Sequence, residues 1–184
     1  MPLGIKDLDF RFENSPARII ANRNHPEIKL AGLSVGPLQE GNEYELNYWI
    51  ANELVKAGIA HFREDDCLVA AKLYKIQWRE RVQIAGQISE LPDDFYPRLR
   101  RFVATLKEEV SKQPEKIQEY EKARYLMWDI INSRLKKIIT LSSGPTQTAE
   151  VLKKFTSEER LIYEQIHKII NQWRKQIAEP KNEG

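Results

Sequence analysis

Cysteine is nearly missing from this chain: Cys67 is the one thiol among 184 residues. A lone cysteine excludes an intramolecular disulfide framework and any cysteine-based zinc cluster, and it fits a reducing intracellular compartment. Long apolar runs are missing too. The longest charge-free stretch, Ile138 to Ala149, has 12 residues and includes polar and turn-forming positions, against the roughly 20 apolar residues that a bilayer span requires. The opening Met-Pro-Leu-Gly-Ile-Lys-Asp runs straight into charge without a signal-peptide core. No membrane contact is therefore expected, and the protein should stay where it is made. The glycines form neither Gly-x-x-x-x-Gly-Lys-Ser/Thr nor Gly-x-Gly-x-x-Gly, the usual backbone cradles for nucleotide phosphate. His25, His61 and His167 lack any His-x-x-x-His spacing, so they read as surface or packing residues rather than ligands or bases. An excess of one charge is absent as well: 29 Lys+Arg face 27 Asp+Glu, and a net +2 does not by itself argue for a nucleic-acid partner.

Charged residues make up 30% and hydrophobic residues 41% of the chain, a soluble globular composition long enough for a sizeable core. The charge is unevenly placed. Residues 1–62 hold 6 Lys+Arg and 8 Asp+Glu, whereas residues 63–184 hold 23 and 19. Pro2, Gly4, Pro16, Pro26, Gly32, Gly36, Pro37, Gly41 and Gly58 all precede residue 60. The two halves meet near Arg63, which divides the chain into a small α/β domain, 1–62, and a helical domain, 63–184.

In the first half, Asp7 to Glu13 alternates strictly, predicting a half-buried strand with Leu8, Phe10 and Phe12 on one face. Ala17–Ala21 and Ile28–Leu30 read as further short strands of a meander, separated by a turn-forming Asn-Arg-Asn-His-Pro. Asn42 and Glu45 form a capping pair for a helix carrying Leu46, Trp49, Ile50, Leu54 and Ala57, with Gly58 as its stop and Ile59–Phe62 returning as an edge strand.

The second half is helical nearly throughout. Asp65 or Asp66 can cap a helix to about Gln87 whose apolar stripe includes Val69, Leu73, Tyr74, Ile76, Trp78, Val82 and Ala85. Pro92-Asp93-Asp94 opens a second helix, and Pro114 opens a third that runs to Leu141 and stops at Ser142-Ser143-Gly144-Pro145. After a short helical piece at Ala149–Phe155, Thr156 and Glu159 make a capping box for a last helix, with Ile162, Ile166, Ile169, Trp173 and Ile177 on one face. A helix bundle is the natural architecture.

The chemistry-bearing residues have structural explanations. Asp65-Asp66, Asp93-Asp94 and Glu158-Glu159 each begin a predicted helix, where the dipole and orphan amides favour negative charge. Cys67 near a helix start has no base beside it in sequence and reads as packing. No catalytic, cofactor-binding or metal-binding residue emerges. Basic clusters at Arg98, Arg100, Arg101 and at Arg134, Lys136, Lys137 could follow a phosphate backbone if aligned, although acidic residues interleave them. Arg134 sits on the apolar side of its helix beside Met127, Ile130, Ile131 and Ile138, so it is expected to be buried in part and paired with a carboxylate. Four tryptophans and seven tyrosines accompany helices whose apolar stripes are wider than one modest bundle needs, which points to packing between subunits.

The segment Gly36-Pro37-Leu38-Gln39-Glu40-Gly41, followed by Leu46-x-x-Trp49-x-Ala51-x-x-Leu54 and Gly58-x-Ala60, resembles the small B domain of GINS subunits. Asp94-Phe95-Tyr96-Pro97-Arg98-Leu99, Arg134-Leu135-Lys136-Lys137-Ile138 and Phe155-Thr156-Ser157-Glu158-Glu159 resemble the helical A domain. Their order resembles the archaeal B-domain-first type, related to the eukaryotic partner-of-Sld-five subunits two and three. The resemblance implies an α+β fold, with a small β-rich N-terminal B domain followed by a larger all-α helical-bundle A domain. It implies a non-catalytic scaffold, without cofactors, in a two-plus-two heterotetramer with an A-domain-first sister subunit. That assembly would join MCM helicase and a RecJ/Cdc45-like protein at the replication fork (the CMG complex of the replisome) and link them to primase or polymerase. Such a protein is expected at chromosomal DNA, in the cytoplasm or, in a eukaryote, the nucleus. Leu126, Met127, Ile130, Arg134, Ile138, Ile166, Ile169 and Trp173 are the expected subunit-interface positions. The alternative is a helical DNA-binding protein whose contacts are Arg98, Arg100, Arg101, Lys136 and Lys137.

Overall fold

The computed structural model describes residues 4–30, 32–83 and 87–178, and they fall into two compact units, one of Lys6–Cys67 and one of the residues from Leu68 on together with Gly4 and Ile5. A small N-terminal strand region precedes a helical bundle, an α+β architecture.

The first unit is built on β1 (Pro16–Ala21), the centre of a three-stranded antiparallel sheet whose edges are β4 (Glu43–Asn47) and β5 (Ala60–Phe62). In β1 the period of two holds: Ile19 and Ala21 are buried, while Arg18 on the other face is exposed and reaches Asp66 at 3.1 Å. Strands β2 (Ile28–Leu30) and β3 (Leu33–Val35) form a separate hairpin. Helix α2 (Tyr48–Lys56) lays Ile50, Ala51 and Leu54 on the sheet, against Ile19, Leu38 and Ile59. It ends where Gly58 takes φ +69° and the Ile59 amide donates back to the Leu54 carbonyl, a left-handed cap that glycine adopts without strain.

Two expectations in this unit are corrected. Residues Ile5–Glu13 form a helix, α1, not a strand. Leu8 and Phe12 share a face at i, i+4, Phe12 is buried against the Tyr48 ring at 4.5 Å, and Phe10 is exposed. The Asn14 and Ser15 side chains donate to the carbonyls of Phe10 and Phe12 and satisfy the helix end. Both edges of β1 are already paired, so the sheet offers this segment no place beside its central strand. Likewise Asn42 and Glu45 do not cap a helix: Glu43–Asn47 pairs with β1 through five residues, and the helix begins only at Tyr48. Tyr44 and Leu46 follow the sheet period, and without β4 one edge of β1 would have unsatisfied backbone groups.

The second unit contains α3 (Ala70–Val82), α4 (Phe95–Lys112), α5 (Ile117–Ser143), the short α6 (Ala149–Leu152) and α7 (Ser157–Ala178). Asp65 and Asp66 do not cap α3. They lie in a 3-10 turn, Glu64–Asp66, and pair with Arg63 and Arg18, while Val69 precedes α3 with no side-chain cap. The helix was expected to run to about Gln87, but it ends at Val82, Gln83 is extended and Gln87 is not helical; Ala85 lies outside the described residues. Helices α4 and α5 form an antiparallel pair joined through a 3-10 turn, Pro114–Lys116. Their buried seam joins Phe95 and Leu99 to Leu126 and Ile130, and Leu73 of α3 completes the cluster. A second cluster, Ile88, Ile138, Leu141, Phe155 and Tyr163, packs α7 on the C-terminal half of α5. No helix among the described residues is long and apolar enough to cross a membrane.

Candidate functional site

Arg134 is the largest fully buried side chain, 0% exposed, and it organises the helical unit. All five of its N–H donors are used. Nε and one Nη2 hydrogen bond meet the two oxygens of Glu159 on α7. Nη1 donates to Glu80 Oε1 of α3 at 2.6 Å and to the Ser89 carbonyl at 2.9 Å, and Nη2 also reaches the Lys154 carbonyl at 3.3 Å. Lys137, one turn further along α5, donates to Glu80 Oε2 at 2.6 Å. The Tyr96 hydroxyl of α4 donates to Glu159 at 2.7 Å, and the Ser89 hydroxyl donates to Glu80. Two cations thus face two carboxylates, and four helices are tied at one point.

The protonation equilibria follow from this geometry. Burial pushes the Glu80 carboxyl up, but hydrogen bonds from Lys137 and Ser89 and the charge of Arg134 outweigh it, leaving the group below its ordinary range. Burial likewise opposes the charge on Arg134, and Glu159 more than compensates, raising it. Tyr96 is raised by burial and by the adjacent Glu159. The four charges of this network, Glu80, Arg134, Lys137 and Glu159, are each paired and hydrogen-bonded, the condition under which an ionic core is tolerated.

Glu159 has a second task. Its carboxylate accepts the Thr156 amide at 3.1 Å, and its own amide donates to Thr156 Oγ1 at 3.3 Å, completing the expected capping box. Asp93 serves α7 as well, accepting the Ser157 amide at 2.6 Å and its hydroxyl at 2.9 Å. Glu158 differs from its neighbour: its side chain is 11% exposed, its oxygens accept no hydrogen bond, and Arg100 stands 3.8 Å away. Burial, with Asp93 close by, raises its pKa.

The expected interface residues divide sharply. Leu126, Ile130, Arg134 and Ile138 lie inside the helical unit's own core, which corrects their assignment to a contact with another subunit. Met127 is half-buried against the same core. Ile166 is half-buried, while Ile169 and Trp173 are 64% and 59% exposed. With Ile162 and Ile177 they form one apolar stripe on α7, and from Lys168 to Ala178 no residue of that helix is buried. The expected nucleic-acid contacts divide too. Lys137 is buried in the ion network, Arg98 pairs with Asp94 at 2.7 Å, Arg100 approaches Glu158, and Arg101 donates to the Pro97 carbonyl. Lys136 stays exposed. All of these basic residues but Lys136 thus have partners within the fold.

A second apolar surface lies on α3 and α5. Trp78 and Tyr125 are 67% and 62% exposed, and Val82 and Trp128 are exposed near them. Of the expected α3 stripe Leu73 is buried and Ile76 packs beside it, whereas Val69, Tyr74, Trp78 and Val82 are exposed, because the ion network draws the polar Glu80 into the interior. His167 packs on the Tyr163 ring and bonds the Ser142 carbonyl at 2.9 Å. Among the described residues, no group of three or more His, Cys, Asp or Glu is placed to hold a metal ion.

Residues 60–178 match the family model of the GINS complex protein helical bundle domain. No curated protein matches the chain.

Proposed function

The chain belongs to the GINS complex proteins, which makes it a subunit of a DNA-replication complex, and from that premise we propose that it is a non-catalytic scaffold that joins and activates an MCM helicase together with a RecJ/Cdc45-like protein at the fork. The observation that carries this reading is the second half of α7. An eleven-residue helical extension, Lys168–Ala178, with an apolar stripe and no buried residue has little reason to persist alone, since helices in water depend on packing of an amphipathic face. Burial of Ile169, Trp173 and Ile177 against a sister subunit would contribute roughly 1.5–3 kcal/mol each. We assign that face to the A-domain-first GINS subunit in a two-plus-two heterotetramer of the archaeal B-first type. The helical domain, 63–184, provides the association surface and the small domain, 1–62, is the recognition module, with primase or polymerase as further contacts. The protein then acts at chromosomal DNA, in the cytoplasm or nucleus according to its source. An unwinding assay tests the scaffold role: the chain mixed with its sister subunit should stimulate a purified MCM helicase while showing no activity on nucleotides or DNA alone. Absence of stimulation, or turnover by the chain itself, would count against it.

A further inference from the structure

The aromatic surface shared by α3 and α5 is separate from the α7 stripe and has its own chemistry. Lys122 of α5 sits over the Tyr74 ring of α3, 5.1 Å from its centroid, and Arg81 lies 3.5 Å from the Tyr125 hydroxyl. Trp78 follows Tyr74 by one turn on the same side of α3 and is exposed. A cavity of about 350 Å³ opens on the surface of α3 itself, between Tyr74, Lys75, Trp78 and Arg79. The volume suits one or two apolar side chains, and the rim is cationic. Arg81 is neutralised by Asp129 at 3.0 Å, whereas Lys75 and Arg79 form no ion pair among the described residues.

We propose that this face docks an acidic amphipathic segment of another protein, with one apolar anchor seated between Tyr74 and Trp78 and flanking carboxylates on Lys75 and Arg79. Charge complementarity selects this occupant: exposed aromatic area with unspent cations at its edge attracts an apolar residue bordered by anions and disfavours a basic one. A nucleic-acid strand fits less well. The Tyr74 ring already carries Lys122, Val82 offers no stacking plane, and Asp129 stands beside Arg81, whereas a phosphate track needs a row of free cations and open aromatic faces.

The test uses the full chain and three labelled helical peptides with the same Leu-Trp anchor pair, flanked by Glu, Gln or Lys, together with labelled oligothymidylate. Fluorescence anisotropy should show the Glu peptide binding about tenfold more tightly than the Gln peptide, with the Lys peptide weakest. Both Trp78→Ala and the double variant Lys75→Glu/Arg79→Glu should abolish that binding. Circular dichroism should be unchanged, because all three side chains are exposed. Equal affinity for the three peptides, no saturable binding of the Glu peptide, or binding that survives both variants would overturn the proposal. Preferential binding of oligothymidylate, or self-association of the chain lost in Trp78→Ala, would overturn it in favour of a strand or a second copy. Failure of the α7 assignment leaves every one of these readouts unchanged.

Discussion

The two units of this protein are held together by opposite means. In the N-terminal unit every buried side chain among the described residues is apolar, from Ile19 and Leu38 on the sheet side to Ala51 and Leu54 on α2. In the helical unit Glu80, Arg134, Lys137 and Glu159 are buried beside the apolar clusters. An apolar core is non-directional and tolerates repacking. A buried ion network specifies which turn of each helix meets which, and it gives way when any one member is lost.

The largest effect that separates the units is expected from Arg134→Ala. Removing the guanidinium leaves Glu80 and Glu159 short of a cation in the interior, and breaking such a pair costs about 3–5 kcal/mol. The loss should appear in the helical signal on chemical denaturation, with the sheet unit's own transition unmoved. Replacing Glu80, Arg134 and Glu159 together by apolar residues of similar volume should restore most of that stability. If the single and triple variants are equally destabilised, specific packing rather than charge pairing holds the unit. The matching change in the other unit, Leu54→Ala, should cost about 2–4 kcal/mol through a cavity and lost burial, and its effect should not vary with pH.

Acid sharpens the comparison. The Glu80 carboxyl is held below its ordinary range, so the stability it contributes is present above the unfolded value of about 4.3 and is lost as pH falls through its lower folded value. Thermal melts followed from neutral pH down through the carboxylate range should show the helical unit losing stability at the acid end, and Glu80→Gln should flatten that slope. Glu158 works in the other direction. Its raised carboxyl favours the protonated form, so its contribution is favourable below the ordinary carboxylate value and disappears as pH rises through the folded one. At neutral pH it is a cost, and Glu158→Gln should raise the melting temperature of the helical unit by an amount that shrinks in acid.

The contrast between the units also explains what could be read without coordinates. The bundle, most helix boundaries, the Thr156–Glu159 capping box and the burial of Arg134 beside a carboxylate follow from periodicity and local chemistry. The partners of Arg134 do not. Glu80 lies 54 residues away and Ser89 lies 45 away, and in its own segment Glu80 reads as a solvated residue. Its burial rotates α3, which is why Trp78 and Val82, apolar by type, are exposed. In the first unit, Asp7–Glu13 and Glu43–Asn47 are short enough to fit a period of two or of 3.6, and the competition for the edges of β1 decides between them. Of the expected interface, Ile169 and Trp173 were legible as a stripe, but the stripe alone does not distinguish them from Leu126 and Ile130. Burial in the chain's own fold does.

The most direct test is therefore the mass of the assembly formed with an A-domain-first GINS subunit, measured by light scattering after size exclusion for the native chain and for the double variant Ile169→Asp/Trp173→Ala. The α7 face predicts a two-plus-two species for the native chain and separated subunits for the variant, with unchanged thermal melts because both side chains are exposed. A variant that assembles to the same mass as the native chain would contradict the account.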